Sequence, residues 1–248
     1  EQGARAHGYQ LLIASSDDAP VSELQLLQLF RARRCDALFV ASCLPDSDDS
    51  YGELQKAGLP IIAIDREMDA TRFCSVVSDD HEASLQLTRS LLKPLPRHIA
   101  LIGARPELSI SRARASGFQH ALEGFEGAVI LEQGEAFSRA CGRRLAGDLL
   151  ERLGHLPDAL VTTSYVLLQG VFDLLQSHAL NPAHLHLGTF GDTQLLDFLP
   201  LPVNAMAQQH HLIAEKALAL ALAAIEKDDY QPGVHAIART FKQRIREA

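Results

Sequence analysis

Residues 99–118, IALIGARPELSISRARASGF, decide how the rest of the chain is read. Residues 99–102 make a short buried strand, and Gly103, Ala104, Arg105 and Pro106 form a loop. The spacing then predicts a helix starting at Ser109 or Ser111, either of which is suited to cap it with a hydroxyl. Arg112 and Arg114 fall in the first turns, near the positive end of the helix dipole, where cations are disfavoured. Such a placement fits a bound anion, which helix-start amides also hold. Two arginines on a solvated helix face are the bland alternative, and this stretch alone leaves both readings open.

The same strand–loop–helix texture runs outward in both directions. Upstream, residues 9–14 (YQLLIA), 36–41 (DALFVA), 60–64 (PIIAI) and 73–77 read as strands, alternating with helices over 21–34, 51–57 and 81–92. Downstream, strands are expected at 128–131, 159–163 (ALVTT), 185–190 (LHLGTF), 203–207 and 234–241, with helices over 137–153, 165–176 and 211–225. Continuous apolar strands alternating with helices imply parallel sheets covered on both faces. About ten strands exceed one doubly wound half, so the expectation is two α/β lobes, without a low-complexity linker or an internal repeat.

The composition narrows the function. An apolar fraction of 47% supports a full core, and a net charge of −8 argues against a surface built to grip nucleic-acid phosphate. Cys35, Cys43, Cys74 and Cys141 lack ligand spacing and read as buried free thiols of a reducing compartment. The longest purely apolar run, 217–225, is half of what a membrane span needs. The opening EQGARAHGYQ reads as the end of a helix, without an initiator Met or a preceding strand, so an N-terminal part of the natural protein is expected to be missing.

Ligands of parallel α/β sheets bind beyond the carboxyl ends of the strands. That rule selects Ser15, Ser16, Ser42, Asp65, Arg66, residues 103–105, Thr163, Ser164, Gly191 and Asp192. Carboxylates that accept from sugar hydroxyls and arginines that fork onto phosphate suit a polyhydroxylated ligand carrying an anion. Catalytic signatures are lacking: there is no GxSxG elbow, Walker A loop, HExxH or dinucleotide-binding glycine pattern. His7, His98, His155, His178 and His184 fall at element edges, and adjacent His210 and His211 point about 100° apart on a helix, so they cannot both face one metal. Asp17 with Asp18, Asp48 with Asp49, Asp79 with Asp80 and Asp228 with Asp229 read as turns and helix caps. The expectation is a binding protein with no cofactor and no metal.

The segments GYQLLIASS, PIIAIDR, SVVSDDHEAS, IALIGARPELSISRARASGF, ALVTTSYVLLQG and LGTFGDTQLLDFLPLPVNAMAQ together resemble the effector-binding core of the LacI/GalR family of transcriptional regulators. TTSYVLLQG and TFGDTQLLDFLP are closest to its fructose-responsive subgroup. The resemblance implies a periplasmic-binding-protein-like α/β fold of two doubly wound parallel-sheet lobes joined by three crossovers. These fall near Val77 and Ser78, near 207–210 and near 231–233. The implied lobes are 1–77 plus 209–231, its first strand missing, and 78–208 plus 232–248.

Carried over by position, Asp65 and Asp192 accept sugar hydroxyls, and Arg66 and Arg114 are anion-side donors. Ser109 and Ser111 add hydroxyls or amides; Ser164, Gln208 and Arg239 complete the expected set. Gly191 stands where most relatives carry an acidic residue, which removes one customary sugar contact. The resemblance further implies fructose 1-phosphate as effector, a homodimer or higher assembly, a cytoplasmic location away from membranes, and operator DNA held only through a headpiece absent from this chain. The rival readings are a periplasmic sugar-binding protein of a transporter and a phosphosugar isomerase. The isomerase needs a base near the sugar carbon, for which only Asp65 or Asp192 qualifies.

Overall fold

The computed structural model describes residues 1–44 and 49–245. The chain divides into two compact units, Glu1–Ser78 with Gln209–Ile237, and Asp79–Gln208 with Ala238–Ala248. The first unit begins with helices α1 (Gln2–Ala6) and α2 (Pro20–Ala32), strand β1 (Leu38–Val40), helix α3 (Ser50–Lys56), and strands β2 (Ile61–Ile64) and β3 (Cys74–Ser78). The second unit runs through α4 (Asp80–Arg89), β4 (His98–Ala104), α5 (Ser109–Ala121), β5 (Ala128–Gly134), α6 (Arg139–Leu153), β6 (Ala159–Thr162), α7 (Tyr165–Ser177), β7 (His186–Phe190), a 3-10 turn (Gln194–Phe198) and β8 (Val203–Ala207). The chain then returns to the first unit for α8 (His210–Lys227) and β9 (Gly233–Ile237), and ends in the second with β10 (Thr240–Lys242).

The first sheet has the order β1-β2-β3-β9, and every pairing is parallel. Its central strands β2 and β3 bury both faces, as parallel strands flanked by helices do. Ile61 joins a cluster with Leu27 of α2 and Tyr51 and Leu54 of α3, whereas neighbouring Ile62 joins Ile213, Ala217 and Ala221 of α8. The second sheet has the order β10-β8-β7-β6-β4-β5, parallel except for antiparallel β10. Along β4, Ala100 and Ile102 pack with α6 and α7, while Ile99 and Leu101 pack with Phe118 and Leu122. The chain leaves β4 for β5 on one side and resumes at β6 on the other. That reversal is a topological switch point, and it opens a crevice at the carboxyl ends of β4 and β6.

Helix pairs on this sheet approach closely at glycines. A Cβ on Gly117 of α5 would lie 2.1 Å from the carbonyl oxygen of His81, and one on Gly170 of α7 would lie 2.2 Å from that of Arg139. Alanine normally improves a helix by about 1 kcal/mol over glycine, but neither of these backbone neighbours can yield.

Three expectations need correction. Residues 9–14 form no strand: among the described residues no neighbouring strand takes up their backbone groups, and Leu12 and Ile13 remain 62% and 85% exposed. The single strand expected over 234–241 is two, because Ala238 and Arg239 interrupt it. Its first half pairs in parallel with β3, from Cys74↔Gly233 to Ser78↔Ile237, and its second half pairs with β8. Residues 233–237 therefore belong to the first unit, and the third passage falls after Ile237 rather than near 231–233. The serine cap of α5 is also absent: Leu108 occupies the cap position, without a side-chain hydrogen bond. Elsewhere caps form as the chemistry favours, from Asp79 on α4, Ser138 on α6 and Ser164 on α7. Asp48 and the last three residues of the expected second lobe, 246–248, lie outside the described residues. All four cysteines are free, with Cys35 only half-buried.

Two outcomes check this architecture. Gly170→Ala is expected to destabilise by about 1–3 kcal/mol in urea unfolding, opposite in sign to an ordinary helix substitution. Asp158 is the second case: burial opposes its charge, but the N–H groups of His98 and Arg97 donate to it and hold its pKa below the usual carboxylate value. A depressed folded pKa gives stability that is present above the unfolded pKa, about 4, and lost as pH falls through the folded value. The stability advantage of the native chain over Asp158→Asn is thus expected at pH 6 and should shrink steadily below about pH 4.

Candidate functional site

At the switch point of the second sheet, α5 carries Arg114 inward with its side chain only 7% exposed. Its Nη1 donates to the Thr163 carbonyl just beyond β6 (2.7 Å), and its Nε and Nη2 donate to the Asp80 carboxylate (3.2 and 3.3 Å). Arg239, in the two-residue connection between β9 and β10, donates from Nε to the same carboxylate at 2.7 Å. Both guanidinia face the Phe190 ring, with their Cζ atoms 4.5 and 5.3 Å from its centroid. Two buried cations share one buried carboxylate. Burying a charge costs several kcal/mol of desolvation, which a shared and hydrogen-bonded counter-charge offsets.

Of the two arginines that posed the question in the sequence, the structure separates one from the other. Arg112 is exposed and donates to the Glu107 carbonyl, a solvated-face role. Arg114 is buried in the crevice. The serines beside it differ as well. The Ser111 hydroxyl is buried and donates to the Ala104 carbonyl at 2.6 Å, tying α5 to β4, while Ser109 is half-buried at the first residue of the helix. Ser164 accepts from the Val166 amide as the cap of α7. Thr163 Oγ1 is buried without a hydrogen-bond partner among the described residues.

Asp192 lies elsewhere in the same unit. It pairs at 2.9 Å with Arg244, which also pairs with Asp197. Burial opposes the Arg244 charge, and the bonds to Asp197 and Asp192 outweigh it, raising its pKa. Asp192 is therefore engaged by the C-terminal segment rather than by the arginine pair. Gln208 is half-buried at the last residue of the second unit before the chain crosses.

In the first unit, Asp65 directly follows β2 with a φ of 65°, a left-handed conformation that aspartate tolerates better than most residues. Arg66 pairs with Asp18 at 2.8 Å and donates to the Ser42 carbonyl at 3.2 Å. Burial disfavours the Arg66 charge, but the Asp18 contact prevails and its pKa is raised; its Nε is buried without a partner among the described residues. Behind this loop, buried Glu23 accepts from the Ser42 hydroxyl (2.5 Å), the Cys43 amide (2.7 Å) and the Tyr51 hydroxyl. Burial, then the Glu23 hydrogen bond, pushes the Tyr51 pKa up.

Asp80, Phe190 and Glu23 were not expected at the site. Asp80 reads as a helix cap in the sequence, yet Asp79 makes the cap and Asp80 meets the arginines. Its available signal was its place, directly after a passage between units; Phe190 ends the strand preceding a crevice loop. Among the described residues, no three or more His, Cys, Asp or Glu are grouped to hold a metal, and no helix is long and apolar enough to cross a membrane.

Residues 1–174 match the family described as periplasmic binding proteins and sugar binding domain of LacI family. The chain belongs to that family. It is 45% identical to the fructose operon regulatory protein of Vibrio cholerae, over 98% of this chain and 74% of that protein. It is 37% identical to the catabolite repressor/activator of Escherichia coli K12, over 98% of this chain and 73% of that protein. Among solved structures, it is similar to the Cra transcriptional dual regulator of Pseudomonas putida in complex with fructose 1-phosphate, with a TM-score of 0.96, 71% identity, and coverage of 99% of this chain and 91% of that one. These relatives are regulators of transcription, not enzymes, and the LacI-family core has the periplasmic-binding-protein-like α/β fold.

One measurement isolates the ring beneath the two guanidinia in this LacI-family core. Phe190→Leu keeps an apolar side chain but removes the π face, and is expected to lower unfolding free energy by about 1–2 kcal/mol in urea titration.

Proposed function

We propose that this chain is the effector-sensing core of a transcriptional regulator of carbon metabolism whose effector is fructose 1-phosphate. The observation that carries the reading is the buried pair Arg114 and Arg239, sharing Asp80 above Phe190. Paired guanidinia suit a phosphate monoester, whose oxygens accept charge-assisted hydrogen bonds. The solved structure 71% identical to this chain holds that sugar phosphate, which supports the choice of ligand.

In this reading Arg114, Arg239 and Arg66 are the anion-side donors, and Asp65 accepts from sugar hydroxyls. Ser109, Ser111, Ser164 and Gln208 supply further polar contacts. Asp192 serves as a sugar contact only by sharing its carboxylate with Arg244. The regulator works as a homodimer or larger assembly in the cytoplasm. Its operator-binding step belongs to a part of the regulator outside these 248 residues. Effector binding lowers operator affinity by favouring one of two conformational states, and its influence is limited to its difference in affinity for them.

Titration calorimetry with fructose 1-phosphate, fructose and inorganic phosphate tests the assignment. Fructose 1-phosphate is expected to bind, with fructose about a hundredfold weaker, the equivalent of losing one or two charge-assisted hydrogen bonds. Equal binding of the sugar and its phosphate, or of neither, overturns the phosphate role. Arg114→Ala is expected to keep the circular dichroism of the native chain and to lose effector binding; retained affinity removes Arg114 from the site.

A further inference from the structure

We propose that Asp80 is the positioning residue of the effector site: its single carboxylate orients both Arg114 and Arg239. The proposal rests on the effector reading above, in which those two arginines take the anion.

The geometry gives Asp80 this role rather than that of a cap. Asp79 already caps α4, so the Asp80 carboxylate is not used on helix amides. It lies 3% exposed, and both of its oxygens accept from guanidinium groups, Oδ1 from Arg114 and Arg239 and Oδ2 from Arg114. Arg114 has a second anchor in the Thr163 carbonyl, on a rigid strand end. Arg239 sits between strands that belong to different sheets, where no ladder fixes its backbone. For a long side chain at such a place, the carboxylate replaces rotamer freedom with one orientation.

Without Asp80, two cations over one ring repel each other in a site with little water to screen them. With it, both guanidinia are held side by side over the Phe190 ring, an arrangement suited to a phosphate monoester.

Asparagine at position 80 is nearly isosteric but turns one oxygen into an NH2 group, so one of the two faces met by Arg114 becomes donor against donor. Asp80→Asn is therefore expected to weaken fructose 1-phosphate binding about tenfold or more, and Asp80→Glu, which keeps the charge but moves it by one methylene, to fall between. Calorimetry on both variants is combined with the arginine Nε–H signals in nitrogen-resolved NMR, assigned with Arg114→Lys and Arg239→Lys. Both signals are expected to shift in Asp80→Asn without effector. Native affinity in a folded Asp80→Asn, or lowered stability with unchanged affinity, overturns the proposal. Should Asp80→Asn fail to fold, native affinity in Asp80→Glu overturns it. If the native chain itself binds no fructose 1-phosphate, the effector reading fails. The Nε–H signals then still test the orienting role: unmoved signals in Asp80→Asn reject it, and moved signals sustain it.

Discussion

A guanidinium withdrawn from water must be matched by a counter-charge and by acceptors for its N–H groups, and Arg114 imposes that constraint on most of the second unit. It reaches inward from α5, so α5 must start where β4 ends; Ser111, bonded to the Ala104 carbonyl, makes that junction tight. Its other partners come from three separate segments: Asp80 from the start of α4, Thr163 from the end of β6, and Phe190 from the end of β7. Thr163 and Phe190 converge with α5 because β4, β6 and β7 are parallel and end on one edge of the sheet. A single electrostatic requirement thus links four junctions, one of which, at Asp80, follows a passage of the chain between its units.

The parallel sheets explain why such a site exists at all. Strands buried on both faces hold few polar side chains along their length, so most of the chemistry is displaced to the ends. At the β4–β6 switch point the connections depart to opposite faces and leave the crevice open. Close helix packing at Gly117 and Gly170 holds the surrounding frame. In the first unit a corresponding polar centre forms around Glu23, whose three accepted hydrogen bonds hold the loop that Arg66 also grips. Both units use the same device: a buried carboxylate fixes loop and side-chain geometry beside an arginine.

Much of this was legible residue by residue. Apolar runs such as LHLGTF and ALVTT show their burial directly, because a fully covered parallel strand has no polar alternation. The position of Arg114 at a helix start marked it as electrostatically unusual. Local pattern failed where long-range pairing decides. The run YQLLIA has strand composition but no ladder partner among the described residues, and VHAIARTF looks continuous although its halves pair in different sheets. Asp79 and Asp80 are adjacent, identical and equally apt as caps; helix geometry turns one toward the amides and the other toward the arginines.

The sequence by itself determined the α/β class, the order of most elements, the lack of catalytic patterns and the arginine on which the site turns. These follow from local periodicity, capping chemistry and the helix dipole, which act within a few residues. Only the tertiary structure decided that Asp80 serves two arginines, that Asp192 is held by Arg244, and that the chain crosses for the last time after Ile237. The pairs concerned lie 34, 159 and 52 residues apart, for Asp80 with Arg114, Asp80 with Arg239 and Asp192 with Arg244. At such separations a carboxylate's partner is chosen by where strands end in space, and no local pattern in the chain carries that information.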